Sequence, residues 1–135
     1  MTTYAFDASA MLRFLENEAG ADRVEKIFLD QLAGKAEVVA SALHWGEVAG
    51  RVYRMRGRAA AELALQRLLG LGIEIIPVTA EQAVNAALIR ADYKIPYVDA
   101  FGVALGAAPD HVFVTADFDL KPATKLAAIE FLPVK

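Results

Sequence analysis

Short apolar runs alternate with amphipathic segments along the chain. The runs TYAFD and HVFVT are typical of buried strands, because they combine β-branched and aromatic residues. Strands are predicted at residues 3–7, 37–41, 73–78, 111–115 and 128–134. With a helical pattern between most of them, the chain is predicted to form a three-layer α/β fold, in which helices flank a central, mostly parallel sheet of about five strands.

The segments between the strands carry apolar residues at helical spacing. Met11, Leu12 and Leu15 share one face of the first predicted helix, which follows the first strand. Further helices are predicted at about 22–32, 42–55, 59–69, 80–92 and 97–107.

Capping residues mark several of these helix ends. Ser41 has the position of an N-cap, and Thr79 with Gln82 has the spacing of a capping box. Gly70 and Gly72 are expected to end the helix that precedes them.

Two of the helices have a predicted inner face. In the helix 80–92, one apolar stripe is formed by Ala83, Val84, Ala87, Leu88 and Ala91. In the helix 97–107, which Pro96 separates from the previous one, the inner face is formed by Val98, Phe101, Gly102 and Leu105.

Composition limits the class of protein. The 135 residues are expected to form a single domain, residues 1–135, and the absence of cysteine excludes disulfides and thiolate metal sites. We expect a cytoplasmic protein without a membrane partner, because the start MTTYAFDASAML lacks the features of a signal peptide and charges interrupt the long apolar segments. A hydrophobic content of 56% favours a partner surface in addition to a core.

Charge is distributed unevenly. The formal net charge is −3 and the pI is about 5.4, so bulk charge does not indicate a nucleic-acid partner. The segment RVYRMRGR nevertheless carries four arginines and no acid. These arginines either end a solvated helix or contact RNA phosphates: Arg51, Arg54, Arg56 and Arg58.

Acidic residues follow the strands at positions that can meet in space. Asp7 ends the first predicted strand and Asp117 follows the fourth, so the two carboxylates meet if these strands are neighbours. Glu47 and Asp99, each near the start of a helix, can reach the same edge, with Asp119 as a fifth candidate.

Clustered carboxylates of this kind raise one another's pKa unless a cation compensates them. Oxygen ligands suit Mg²⁺ or Mn²⁺ and do not suit zinc. A bound divalent cation at the edge would support hydrolysis of a phosphodiester.

Each candidate also has a structural interpretation. Asp7 and Asp99 fit N-caps, Asp119 fits a turn residue, and Ser9 and Thr115 fit local backbone caps. On the helix after the second strand, the apolar stripe is formed by Trp45, Val48, Ala49 and Val52. Glu47 lies opposite this stripe, with Arg51 at the spacing of a surface ion pair.

The remaining chemically distinctive side chains are interpreted as structural. His44 and His111 are too few and too far apart in the sequence for a metal set. Trp45 is most simply a core residue.

Four ordered motifs resemble a known family. DASAMLRFL (7–15), SALHWGEVAGRVYR (41–54), IPYVDAFGVALGAA (95–108) and VTADFDL (114–120) are similar to the motifs of PIN-domain ribonucleases, and most similar to those of VapC-type toxins. The resemblance covers essentially the whole chain. Two departures concern substrate contacts. Pro96 and Tyr97 stand where many relatives have a serine, and Phe118 and Leu120 stand where many have a basic residue and a phenylalanine.

The resemblance implies roles for individual residues. Catalytic roles fall on Asp7, Glu47, Asp99 and Asp117, of which Asp7, Asp99 and Asp117 would ligate Mg²⁺ or Mn²⁺. Ser9, Thr115 and Asp119 would support them. It also implies RNA cleavage, a homodimer, and a cognate antitoxin protein as partner.

Three functional hypotheses therefore stand. The first is a metal-dependent endoribonuclease acting as the toxin of a toxin–antitoxin pair. The second is a housekeeping RNA-processing nuclease with the same fold. The third is a noncatalytic module that binds RNA or protein, and the presence of all the motif acids argues against it.

Overall fold

The fold is built on one parallel sheet. A computed structural model describes residues 1–134. Its five strands follow the spatial order β3-β2-β1-β4-β5, and every neighbouring pair is parallel. The strands are β1 (Thr2–Phe6), β2 (Ala36–Ser41), β3 (Glu74–Ile76), β4 (His111–Thr115) and β5 (Ile129–Phe131). The predicted α/β class and strand number are therefore confirmed, and the sheet of the described chain is parallel throughout.

Six α-helices connect the strands. They are α1 (Ala8–Leu15), α2 (Ala21–Leu32), α3 (Ala42–Arg56), α4 (Arg58–Gly70), α5 (Ala80–Tyr93) and α6 (Tyr97–Gly106). A 3₁₀ helix, Phe118–Lys125, follows β4 and was not predicted. The edge strands β3 and β5 are shorter than predicted, three residues each.

The predicted helix caps are present. The Ser41 hydroxyl accepts a hydrogen bond from the amide of Leu43 at 3.2 Å. Thr79 and Gln82 form both hydrogen bonds of a capping box at the start of α5. Between α3 and α4, Gly57 has a φ of 90°, a conformation that glycine adopts without steric cost.

Two apolar clusters cover the two faces of the sheet. On one side, Phe6 and Met11 pack with Phe28 of α2 and Leu68 of α4. On the other side, helices α5 and α6 and the 3₁₀ helix bury a second set: Ala5, Ile89, Phe101, Phe113 and Leu120. Successive residues Ala5 and Phe6 point to opposite faces, as the strand pleat requires. The molecule thus has three layers.

The predicted inner face of α5 is wrong. Val84 and Leu88 are 63% and 60% exposed, whereas Ala86 and Ile89 are buried against the sheet. Because apolar residues occupy more than one side of this alanine-rich helix, the hydrophobic pattern alone did not identify the side that packs. In α6, Phe101 and Gly102 are buried as predicted, and Val98 and Leu105 are only partly buried.

The strand order determines where a ligand can bind. The chain adds β2 and β3 on one side of β1, then crosses to add β4 and β5 on the other. Ligand sites of such sheets lie outside the carboxyl ends of the strands at this switch in direction, here between β1 and β4. Among the described residues, no helix is long and apolar enough to cross a membrane.

Candidate active site

Asp7 lies at the switch point and has two structural connections. It directly follows β1 and caps α1, accepting a hydrogen bond from the amide of Ala10 at 2.9 Å. Its side chain is only 3% exposed. The N-cap interpretation of Asp7 is therefore correct, and the same carboxylate faces the end of β4.

Two hydroxyl groups tie Asp7 to β4. Ser9 donates to one carboxylate oxygen of Asp7 at 2.6 Å, and Thr115 donates to the other. The Ser9 oxygen accepts from the amide of Ala116, and the Thr115 oxygen accepts from the amide of Asp117. This network fixes the ends of β1 and β4 relative to each other and orients a buried carboxylate with two side-chain donors.

Asp99 and Glu47 meet at a histidine. Asp99 lies in the first turn of α6, and its Oδ1 is 3.2 Å from Nε2 of His44. Glu47 is one turn after His44 on α3, and its Oε1 is 3.8 Å from the same nitrogen. Glu47 is exposed, whereas Val48 and Val52 of the predicted apolar stripe are buried. The predicted Glu47–Arg51 ion pair is not among the ion pairs of residues 1–134.

Asp117 and Asp119 follow β4. Asp117 caps the 3₁₀ helix, and its Oδ1 accepts from the amide of Asp119 at 2.9 Å. Asp119 itself is exposed on the first turn of that helix. The position of Asp119 matches a turn residue, whereas Asp117 is joined through Thr115 to the Asp7 network.

Burial and mutual repulsion affect the charge of the site. Burial raises the pKa of the Asp7 carboxyl above its ordinary value, and hydrogen bonds from Ser9, Thr115 and Ala10 oppose the increase. Partial burial also raises the pKa of Glu47. The imidazole of His44 lowers it, while the negative charges of Asp99 and Asp7 raise it. Asp7 and Asp99 thus both lie close enough to Glu47 to raise its pKa.

The side chains present fit a divalent cation by chemistry. All candidate ligands are carboxylates, the oxygen donors that Mg²⁺ and Mn²⁺ prefer. Within residues 1–134, no three His, Cys, Asp or Glu side chains converge closely enough to form a ready-made metal cage. The site thus supplies the ligand types and the unbalanced negative charge without a preformed cation cage.

A cavity of about 400 Å³ opens beside the acids. Its lining includes Ser9, Asp117 and Arg51. Among the other arginines of residues 51–58, Arg56 pairs with Glu16 at 2.8 Å, and Arg58 lies over the ring of Tyr53. Of the four arginines at 51, 54, 56 and 58, Arg51 is the one that lines this cavity, together with Asp117, in the described part of the chain.

The fold and these motifs define the class of protein. The family model of the PIN domain matches residues 4–126, so the chain belongs to the PIN domain family, and the predicted resemblance is confirmed. Comparison with curated proteins finds no significant match.

Several solved structures share this fold. A chain of VapBC2 from Rickettsia felis, crystallised on a DNA fragment of its promoter, is 17% identical with a TM-score of 0.75, covering 98% of this chain and 100% of that chain. VapC20 of Mycobacterium tuberculosis, a toxin that cleaves the sarcin–ricin loop, is 21% identical with a TM-score of 0.68, covering 96% and 99%. A chain of FitAcB from Neisseria gonorrhoeae is 22% identical with a TM-score of 0.67, covering 94% and 96%.

His44 is the residue whose position sequence reasoning missed. We interpreted it as structural, and it is fully buried, but its ring also contacts Asp99. The available indication was its position one helical turn before Glu47, which puts both side chains on adjoining parts of α3. His111, by contrast, contacts only the local carbonyl of Pro109 among the described hydrogen bonds.

Proposed function

We propose that the protein is a metal-dependent endoribonuclease that hydrolyses RNA phosphodiester bonds as the toxin of a toxin–antitoxin pair. The observation that carries the proposal is the set of carboxylates at the switch point of a PIN domain. Asp7 and Asp99 both lie close enough to Glu47 there to raise its pKa, and Asp117 joins Asp7 through Thr115. A site with excess negative charge has no evident use in stability, and it is suited to a divalent cation.

Asp7, Asp99 and Asp117 are the proposed ligands of Mg²⁺, with Mn²⁺ as a substitute. A cation bound there would supply Lewis acidity and an activated water for phosphodiester hydrolysis. Ser9 and Thr115 hold the two oxygens of Asp7 in a fixed orientation. Asp119 would support the site only indirectly, through its amide hydrogen bond to Asp117.

Glu47 is the proposed proton acceptor. Its side chain is half exposed at the rim of the site, and its pKa is raised. A carboxylate with a raised pKa is a stronger base than an ordinary one and can accept a proton from an attacking water at Oε1. The buried Asp7 is less suited to this role, since both of its oxygens accept hydrogen bonds.

Arg51 is the proposed contact to the RNA backbone. Arg51 lines the same cavity as Ser9 and Asp117. A phosphate bound in this cavity beside Asp117 would therefore lie near the Arg51 side chain. Arg54, Arg56 and Arg58 are exposed further along α3 and at the start of α4. They are proposed to contact RNA phosphates outside the cleavage position.

Exposed apolar surface supports the proposal that the protein binds protein partners. A cavity of about 380 Å³ between α3 and α4 is lined by Tyr53, Ala61 and Leu65 among others, and is proposed to receive an apolar segment of the antitoxin. Val84 and Leu88 on α5 are proposed to contribute to a homodimer. One similar structure, from Klebsiella pneumoniae, is described as a toxin–antitoxin complex, and a ribonuclease toxin would act on RNA in the cytoplasm.

The roles of the acids can be tested with matched variants. Purified protein, shown by mass to be free of antitoxin, is incubated with RNA and Mg²⁺. We expect Asp99→Asn and Asp117→Asn to reduce cleavage at least about a hundredfold. Asp92→Asn, which makes the same change on the exposed side of α5, should cleave like the wild type. Full activity of Asp99→Asn would contradict the proposed site.

The toxin role has a separate test. Induced expression in a bacterial host should arrest growth with the wild type and with Asp92→Asn, and should not do so with Asp99→Asn. Unimpaired growth with an active, well-expressed nuclease would contradict the toxin assignment and leave the nuclease assignment intact.

A further inference from the structure

His44 occupies a slot that is fitted to its ring. The side chain is fully buried where α3 meets α6 and β4. Gly102 of α6 makes room for it, because a Cβ at this position would lie 2.7 Å from Cε1 of His44 and 2.5 Å from a ring carbon of Phe113. The helices therefore approach each other closely at this point, and the imidazole has little freedom to rotate.

The two ring nitrogens of His44 have different surroundings. Nε2 lies 3.2 Å from Asp99 and 3.8 Å from Glu47. Nδ1 is buried without a hydrogen-bond partner among residues 1–134. Carboxylates only accept hydrogen bonds, so the hydrogen on Nε2 is assigned from its partners. Both the neutral Nε2–H tautomer and the imidazolium present this hydrogen, so the contact does not require a particular charge on the ring.

An unpaired buried nitrogen is unfavourable for a residue that serves packing alone. Leaving such a group without a partner carries a desolvation cost that an apolar ring in the same slot would avoid. The compensating feature is the contact of Nε2 with the acids at the site.

Asp99 depends on this contact for its orientation. Asp7 has three hydrogen-bond donors, from Ser9, Thr115 and the amide of Ala10. Within the described chain, the Asp99 carboxylate accepts a hydrogen bond from His44 alone. Loss of the Nε2 donor would therefore leave Asp99 free to adopt other rotamers.

We propose that His44 is a positioning residue, which holds Asp99 in the orientation needed to bind a divalent cation. This inference rests on the proposed function, because it takes Asp99 as a ligand. His44 does not touch substrate or cation in this scheme. It acts on the cation site through Asp99, in the way that a donor behind a metal ligand fixes the orientation of that ligand.

The test uses two substitutions that differ in hydrogen bonding. His44→Phe keeps a flat ring in the slot and removes the donor, whereas His44→Gln keeps an N–H group at a distance along the side chain similar to that of Nε2. His111→Phe makes the same ring exchange at the start of β4, the opposite end of that strand from the acids. Folding of each variant is checked by near-ultraviolet circular dichroism.

The readouts are Mn²⁺ affinity, by calorimetry on RNA-free protein, and RNA cleavage. We expect His44→Phe to weaken both about ten- to a hundredfold, His44→Gln to recover most of the loss, and His111→Phe to match the wild type. Wild-type Mn²⁺ affinity in a folded His44→Phe would overturn the proposal. If the wild type binds Mn²⁺ but cleaves no RNA, the proposed function fails, and the affinity comparison still decides the role of His44.

A second measurement does not depend on the folding of the His44 variants. Long-range ¹H–¹⁵N correlation on the metal-free wild type reports which ring nitrogen of His44 carries the hydrogen. We expect a hydrogen on Nε2 whose resonance shifts in Asp99→Asn. A neutral ring with its hydrogen on Nδ1 would overturn the proposal.

Discussion

At the scale of single residues, Thr115 connects two parts of the site. Its fully buried hydroxyl donates to Asp7 and accepts from the amide of Asp117. Thr115→Val has nearly the same shape and removes both bonds. We expect a loss of about 1–3 kcal/mol in the free energy of unfolding, because a buried carboxylate and a backbone amide lose partners, together with reduced cleavage. Urea unfolding measures the loss, and Thr124→Val, at an exposed hydroxyl, should change it little.

Asp7 also predicts a pH dependence of stability. Because burial raises its pKa in the folded state above the ordinary value of 3.8, the folded chain binds this proton more tightly than the unfolded chain. The contribution of protonated Asp7 to stability is therefore lost as the pH rises from the pKa of Asp7 in the unfolded chain through its higher pKa in the folded chain. In Asp7→Asn the side chain at position 7 is not ionisable, and its amide oxygen can still cap α1.

The stability difference between Asp7→Asn and the wild type should therefore grow as pH increases. In EDTA, we expect the gain of the variant in free energy of unfolding to be larger at about pH 7 than at about pH 4. The reason is that residue 7 becomes charged over this interval in the wild type and stays neutral in the variant. Urea titrations at several pH values measure the difference. A difference that stays constant with pH would contradict a raised pKa at Asp7.

The sequence could nominate residues of the site but not their environment. Asp7 and Asp117 were predicted from their places after two strands, and the structure shows that those strands are neighbours. The position of His44 beside the site could not be predicted, because its contact with Asp99 joins two residues that are 55 positions apart in the chain. The metal-binding roles of Asp7, Asp99 and Asp117 and the catalytic role of Glu47 stay predictions.

At the scale of helices, the close packing at Gly106 leaves no room for a side chain. A Cβ at this position in α6 would lie 2.6 Å from Cβ and 2.9 Å from the backbone nitrogen of Phe113. We expect Gly106→Ala to destabilise the fold by about 1–3 kcal/mol, because backbone must move. Gly46→Ala on α3, where a Cβ meets nothing within 4 Å, should stabilise by about 0.5–1 kcal/mol. Thermal unfolding compares them, and equal effects would contradict the close approach of α6 to β4.

Helix boundaries were easier to predict than helix faces. The capping box of Thr79 and Gln82 is local, so the sequence contains all the information that sets the start of α5. The face of α5 is set by packing. Ala86 and Ile89 pack against the sheet. Val84 and Leu88 are exposed, and their spacing gave the sequence pattern a second apolar side. The 3₁₀ helix has Pro122 inside it and no helical apolar spacing, so no pattern predicted it.

At the scale of the whole molecule, the alternation of strands and helices was sufficient to predict the α/β class. Strand order was not predictable in full, because it depends on which strands pair across the crossover after β3. That crossover brings β4 beside β1 and creates the switch point. The distant acids meet only because of this topology.

The exposed side of α5 predicts self-association. Val84 and Leu88 lie one helical turn apart, and both are more than half exposed. If they contribute to the proposed homodimer, the double variant Val84→Glu, Leu88→Glu should shift the protein toward monomer, because buried charge opposes association. Light scattering after gel filtration measures the mass. Leu63→Glu, at an exposed position on α4, is the control, and an unchanged dimer in the α5 variant would place the interface elsewhere.

The most direct test of the central claim is cleavage of a mixed cellular RNA by purified, partner-free protein. The reactions contain Mg²⁺, EDTA, or EDTA followed by excess Mg²⁺, and Asp7→Asn is run in parallel. We predict discrete RNA products with Mg²⁺, none with EDTA, recovery on adding Mg²⁺, and none with the variant. Products that persist in EDTA, or that Asp7→Asn forms at the wild-type rate, would contradict a metal-dependent nuclease at this site.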